Sequence, residues 1–140
     1  MHVTLTKWLL RSAKEVPTLF YNQGERERKR FTGKIELIQG DIRQSADISK
    51  AVQDQEVIIH MAYMLPPHSE DKPELAHSIN IDGTRNLLVA AHSMSRPPRF
   101  FFSSSLDVFG YTQDQPPPRK VTDPVQATDH YSTHKIACEQ

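Results

Sequence analysis

The sequence predicts an α/β fold built on a parallel sheet with helices on both faces. Three observations lead there. Segments of strand character alternate with segments of helical periodicity along the chain. Two runs, Glu56-Val57-Ile58-Ile59-His60-Met61-Ala62 and Arg99-Phe100-Phe101-Phe102-Ser103-Ser104, are rich in apolar residues over several consecutive positions. Strands buried on both faces of a parallel sheet read this way. Small or polar residues follow the strand segments at Gly40-Asp41, Ala62-Tyr63 and Ser103-Ser104-Ser105. In such sheets ligands bind beyond the carboxyl ends of the strands, so these positions would converge on one edge.

The elements are expected in this order. Val3 to Glu15 reads as an amphipathic helix, with Leu5, Trp8, Leu9 and Ser12 on one face, ended by Pro17. Thr18-Leu19-Phe20-Tyr21 is a short strand, and Gln23 to Gly33 a charged loop. Lys34 to Gln39 is a strand closed by Gly40-Asp41. Ser45 is expected as the N-cap of a short helix running through Val52. The buried strand from Glu56 comes next, then a polar loop with Pro66 and Pro67. A long helix spans about Pro73 to Met94, with Leu75, Ile79, Leu87, Leu88 and Ala91 at helical spacing. Pro97-Pro98 breaks it before the strand at Arg99. Ser105 to Ala127 is a long loop, and Thr128 or Asp129 caps a last helix.

With 140 residues, the chain is long enough for one domain with a core, assigned to residues 1–140. Lys+Arg and Asp+Glu both number 17, a balance that gives no electrostatic reason to bind nucleic acid or an anionic membrane. The run Glu25-Arg26-Glu27-Arg28-Lys29-Arg30 mixes signs and reads as a solvated loop. Cys138 is the single cysteine, so no internal disulfide forms, and it reads as a packed thiol. No apolar stretch approaches the roughly 20 residues that cross a bilayer, and no secretory signal is evident. The expected location is the cytoplasm.

The last helix carries the chemistry. Tyr131 and Lys135 are four residues apart, which places them on one helix face with Cβ atoms about 5–6 Å apart. A nearby ammonium favours the phenolate, so such a pair can exchange protons near neutral pH. His130 and His134 share the same spacing, but no third ligand lies near them in sequence, and no metal site is read.

These residues sit at the end of an ordered set: Gly40-Asp41-Ile42-Arg43, then Val57 to Ala62, then Asn80-Ile81-Asp82-Gly83-Thr84-Arg85-Asn86-Leu87-Leu88, then Phe102-Ser103-Ser104-Ser105 with Val108-Phe109-Gly110, and finally Tyr131 and Lys135. The set resembles the extended short-chain dehydrogenase/reductase family, the NAD-dependent epimerases and dehydratases, over roughly residues 34–140. The resemblance implies a Rossmann-type doubly wound parallel sheet and a role for each matching position. Asp41 would contact the adenine amino group, with Ile42 beside the ring. Met61, Ala62, Tyr63 and Ser103 would lie along the cofactor. Asn80 would support the active-site network. Ser105 would be the catalytic hydroxyl and Tyr131 the general acid/base. Lys135 would bind the nicotinamide ribose and lower the tyrosine pKa.

The sequence departs from that family at its start. None of its glycines, Gly24, Gly33, Gly40, Gly83 and Gly110, is spaced as the Gly-x-x-Gly-x-x-Gly turn that receives the pyrophosphate. The expected fold is therefore a partial Rossmann-type sheet with its first strand and its C-terminal part missing, open between the strands at Thr18 and Glu56, and marginally stable. The cofactor expected is NAD or NADP, bound weakly for want of the glycine turn. Tyr21-Asn22 stand where NAD-preferring members carry an acid, and Arg26 or Arg28 could meet a 2′-phosphate. The implied substrate is a secondary alcohol on a nucleotide sugar or related polyol, and a homodimer is the implied assembly. A carbonyl reductase of the same family and a non-catalytic regulator or binding module with a degenerate Rossmann fold are the rival readings. The missing turn leaves open whether this chain is itself active.

Overall fold

A computed structural model describes residues 8–12, 17–21, 36–111 and 116–140. Five strands form one sheet: β1 (Trp8–Ser12), β2 (Pro17–Tyr21), β3 (Glu36–Gln39), β4 (Gln55–His60) and β5 (Arg99–Phe102), in the order β3-β2-β1-β4-β5. β2 and β3 pair in parallel, as do β4 and β5. β1 lies between β2 and β4 and runs antiparallel to both. Four strands thus point one way around a reversed central strand. Ile38, Phe20, Trp8, His60 and Phe102 occupy one pairing row across the sheet.

Two expectations fail at β1. The segment within Val3–Glu15 that the structure describes is a strand, and the opening expected between the strands at Thr18 and Glu56 is filled by it. The physical reason is hydrogen bonding. Without β1, β2 and β4 would each leave a row of backbone groups unpaired, and five residues of helical periodicity weigh little against two ladders. The direction follows from connectivity. Only residues 13–16 join β1 to β2, and a link that short suits antiparallel neighbours, whereas a parallel crossover needs a dozen or more residues. Arg26, Arg28 and the rest of the 25–30 run lie outside the described residues, as does Asn22.

α1 (Ser45–Val52) follows β3. Its N-cap is Gln44, not Ser45, because the Gln44 carbonyl already accepts from the Asp47 and Ile48 amides. After β4 come α2 (His68–Asp71), a short turn where a plain loop was expected, and α3 (Pro73–His77). The long helix expected to Met94 is interrupted by a π-turn at Ser78–Asp82 before α4 (Gly83–His92). A 3₁₀ turn at Leu106–Phe109 interrupts the long loop, and α5 (His130–Glu139) closes the described chain. Asp129 caps α5 in a full capping box: its carboxylate accepts the Ser132 amide at 2.7 Å while the Ser132 hydroxyl accepts the Asp129 amide at 3.2 Å.

Ile42, Ile48, Ala51, Val52, Ile58, Ala62, Met64, Ala76, Ile79, Leu87 and Ala91 form the core on which α1, α3 and α4 pack. Gly83 lets α4 approach: a Cβ there would stand 2.9 Å from Cγ2 of Ile42. β5 departs from the expected strand buried on both faces. It is an edge of the sheet, and Phe101 is 54% exposed.

Candidate active site

The carboxyl ends of β3, β4 and β5 lie along one edge, and the sequence-derived site residues divide into groups along it. At the β3 end, Asp41 accepts the Arg43 amide at 2.9 Å and the Arg43 guanidinium at 3.0 Å on both oxygens. These hydrogen bonds hold its carboxyl below the usual carboxylate range. The Asp41 amide donates to the Asp47 carboxylate at 2.9 Å, tying the strand end to α1. Ile42 is buried against Gly83, so its side chain belongs to the core.

At the β4 end, Met61 is 47% exposed on the edge, while Ala62 and Tyr63 are buried. Asn80 pins this segment. Its side-chain oxygen accepts the Met64 amide at 2.7 Å, and its Nδ2 donates to the Met64 carbonyl at 3.2 Å. Asn80 is placed by the π-turn, whose wider winding presents its carbonyl to neighbours beyond the ladder. That carbonyl accepts the Thr84 hydroxyl at 2.5 Å and the Cys138 thiol at 3.4 Å. His60 completes the cluster. Its Nδ1 accepts the Ala62 amide at 3.3 Å, so Nε2 carries the hydrogen that reaches Thr84 Oγ1 at 2.7 Å. Burial, with the Lys135 charge adding to it, drops the His60 pKa to about 3, and the ring is neutral at physiological pH.

At the β5 end, α5 brings Tyr131 and Lys135 together with Ser103 and Tyr63. Both α5 residues are buried, Lys135 to 3% exposure. The Lys135 ammonium donates to the Ser103 carbonyl at 2.5 Å. It stands 3.5 Å from the centroid of the Tyr63 ring, 4.6 Å from that of Phe102 and 5.6 Å from that of Tyr131. A desolvated ammonium over an aromatic face gains about 2 kcal/mol, which offsets part of its burial cost. Burial still wins: the Lys135 pKa falls to about 8. Ser105 is half-buried and caps the 3₁₀ turn, accepting the Asp107 amide at 3.3 Å and donating to its carboxylate at 3.0 Å. Among the described residues no hydrogen bond links Ser105 to Tyr131; the 3₁₀ turn that Ser105 caps packs against α5. The Ser104 hydroxyl bonds Glu139.

The structure thus gathers Ser103, Tyr63, Asn80, Tyr131 and Lys135 in one cluster. Asp41 stands apart at the β3 end, three strands from β4 in sheet order. His60, Thr84, Phe102 and Cys138 are the members that sequence reasoning gave no role. A histidine inside an apolar strand was the one available signal, because a buried imidazole demands a partner. Among the described residues no group of His, Cys, Asp or Glu side chains converges to hold a metal ion, and no helix is long and apolar enough to cross a membrane.

The profile of the NAD dependent epimerase/dehydratase family matches residues 4–140. The chain belongs to that family. The D-erythronate dehydrogenase of Haemophilus influenzae is 33% identical over 89 residues, a stretch that covers 62% of this chain and 27% of that protein. Human 3 beta-hydroxysteroid dehydrogenase type 7 is 32% identical over 78 residues, covering 55% of this chain and 21% of its own. The UDP-glucose 4-epimerase of Thermus thermophilus, in complex with NAD, superposes with a TM-score of 0.72 at 21% identity, over 84% of this chain and 38% of that one. This last likeness concerns the fold, and it makes the sheet Rossmann-type. The chain spans about a quarter of the length of these curated relatives.

For a nicotinamide dinucleotide, the polar groups present suit one half: Tyr131, Lys135 and Ser105 lie near the end of β5, where they would face a ribose and an alcohol if one bound there. The pyrophosphate half lacks the glycine turn: β1 runs against its neighbours, and the four residues that join it to β2 include no glycine.

Proposed function

We propose that this chain carries the acid/base half of an NAD(P)-dependent oxidoreductase that acts on a secondary alcohol of a nucleotide sugar or related polyol. The observation behind it is the α5 pair: Tyr131 and Lys135 on one helix, with the ammonium fixed between the Ser103 carbonyl and three aromatic faces. When bound, the nicotinamide would accept hydride from the carbinol carbon. The chain's own residues handle the proton. Tyr131, as the phenolate beside the Lys135 charge, takes it from the substrate hydroxyl and becomes the phenol, while the Ser105 hydroxyl donates to the substrate oxygen. NAD is favoured over NADP on family grounds.

A second reading, a non-catalytic binding module, is supported by the reversed β1: among the described residues it leads into no glycine turn that could receive a pyrophosphate. One experiment separates the two. Fluorescence titration should show no micromolar affinity for NADH or NADPH. With millimolar NAD and a panel of UDP-sugars and polyols, slow turnover should appear and should fall about 10²–10⁴-fold in Tyr131→Phe. Turnover unchanged in that variant sinks the acid/base reading, and no turnover in the parent chain leaves the binding module.

A further inference from the structure

The family spacing accounts for Tyr131 and Lys135 but not for what surrounds the ammonium. The groups facing Lys135 come from four places. β4 contributes His60, neutral in its buried site. The segment after β4 contributes the Tyr63 ring. β5 and its end contribute the Phe102 ring and the Ser103 carbonyl. α5 itself contributes Tyr131, Cys138 and Glu139. Glu139 is engaged by the Ser104 hydroxyl. One of the three ammonium hydrogens is taken by Ser103, and of the three aromatic rings around the ammonium that of Tyr63 is nearest.

Tyr63 is itself held at two points. Its hydroxyl donates to Cys138 Sγ at 3.4 Å, and Cys138 donates to the Asn80 carbonyl at 3.4 Å, the carbonyl presented by the π-turn. Its ring meets the Tyr131 ring edge-on, with centroids 5.7 Å apart and planes at 89°. A ring fixed at its hydroxyl and touching both members of the acid/base pair is more than packing.

We propose that Tyr63 is a positioning residue: its ring face holds the Lys135 ammonium beside Tyr131, and its hydroxyl, through Cys138 and Asn80, fixes where that ring stands. The proposal rests on the acid/base reading for its meaning in catalysis, but it is tested without turnover. It makes a prediction that simple packing does not. Leucine at position 63 keeps the burial and removes the π face, so the charged form of Lys135 loses support while its desolvation persists. Phenylalanine keeps the face.

The test is the titration of Lys135 followed by NMR on protein carrying ¹³Cε-labelled lysine, its resonance identified by its loss in Lys135→Met. The parent chain should titrate near 8. Tyr63→Leu should lower the midpoint by about one unit, a tenfold loss of proton affinity, and Tyr63→Phe should restore it. An unchanged midpoint in Tyr63→Leu overturns the proposal, and so does a Tyr63→Phe midpoint as low as that of leucine. If Tyr63→Leu does not fold, Tyr63→Met carries the same comparison. A shift in Tyr63→Leu together with undiminished turnover in Tyr131→Phe would keep the positioning role and remove the catalytic one.

Discussion

The centre of the sheet and its carboxyl edge are built by different means. β1 is held by backbone ladders on both sides, which accept almost any strand-compatible residue. The edge is held by side chains from distant parts of the sequence: His60 to Thr84, Thr84 and Cys138 to the Asn80 carbonyl, Tyr63 to Cys138, Lys135 to Ser103. The first arrangement tolerates substitution and depends on chain direction. The second depends on individual polar atoms, buried or part-buried and costly to orphan. The difference explains how the chain can take an unusual central strand and still gather a family-like cluster at the strand ends.

Acid should separate the two regions most. His60 is neutral in the fold with a pKa of about 3, against an ordinary value of 6.5. A depressed folded pKa means that the unfolded chain binds the extra proton first. The stability it supports is therefore fully present above pH 6.5 and is lost as pH falls toward 3, by up to about 5 kcal/mol. Urea melts across that window should show the loss, and His60→Gln should flatten it; an equal slope in that variant would place the acid sensitivity elsewhere.

Leu10→Pro tests the ladder side. A proline in a central strand removes a ladder donor and belongs only at edges and bulges, so the cost should be about 3 kcal/mol or more, while Leu10→Val costs little. Equal urea midpoints for the two would argue against a central β1. Thr84→Val has the smallest expected effect. It keeps the shape and deletes the hydroxyl between His60 and the Asn80 carbonyl, and should cost about 1–3 kcal/mol in the same melts. A neutral result would mean that the relay adds nothing to the edge.

The readable parts of the sequence were local. Thr128 and Asp129 stood as the two cap candidates of the last helix, the Tyr131/Lys135 spacing fixed a common face, and the polar residues after the strand segments marked the carboxyl edge. Three things were not local. Trp8–Ser12 is too short for periodicity to separate strand from helix, and its state was decided by neighbours elsewhere in the chain. The π-turn at Ser78–Asp82 leaves no mark in a helical pattern that continues through it. The cage around Lys135 joins Tyr63, Phe102 and Lys135, which meet only when β4, β5 and α5 are assembled.

The reversed strand also sets the terms on which this chain could be converted into a tighter cofactor binder. Trp8 pairs with His60 and Ser12 with Gln55, so the outgoing end of β1 opens on the edge opposite Tyr131. Glycines grafted after Ser12 would build a phosphate cradle on the wrong side of the sheet. A strand of the opposite polarity would have to evict β1 from between β2 and β4, which makes the change an exchange between competing segments and puts it beyond the reach of point substitution.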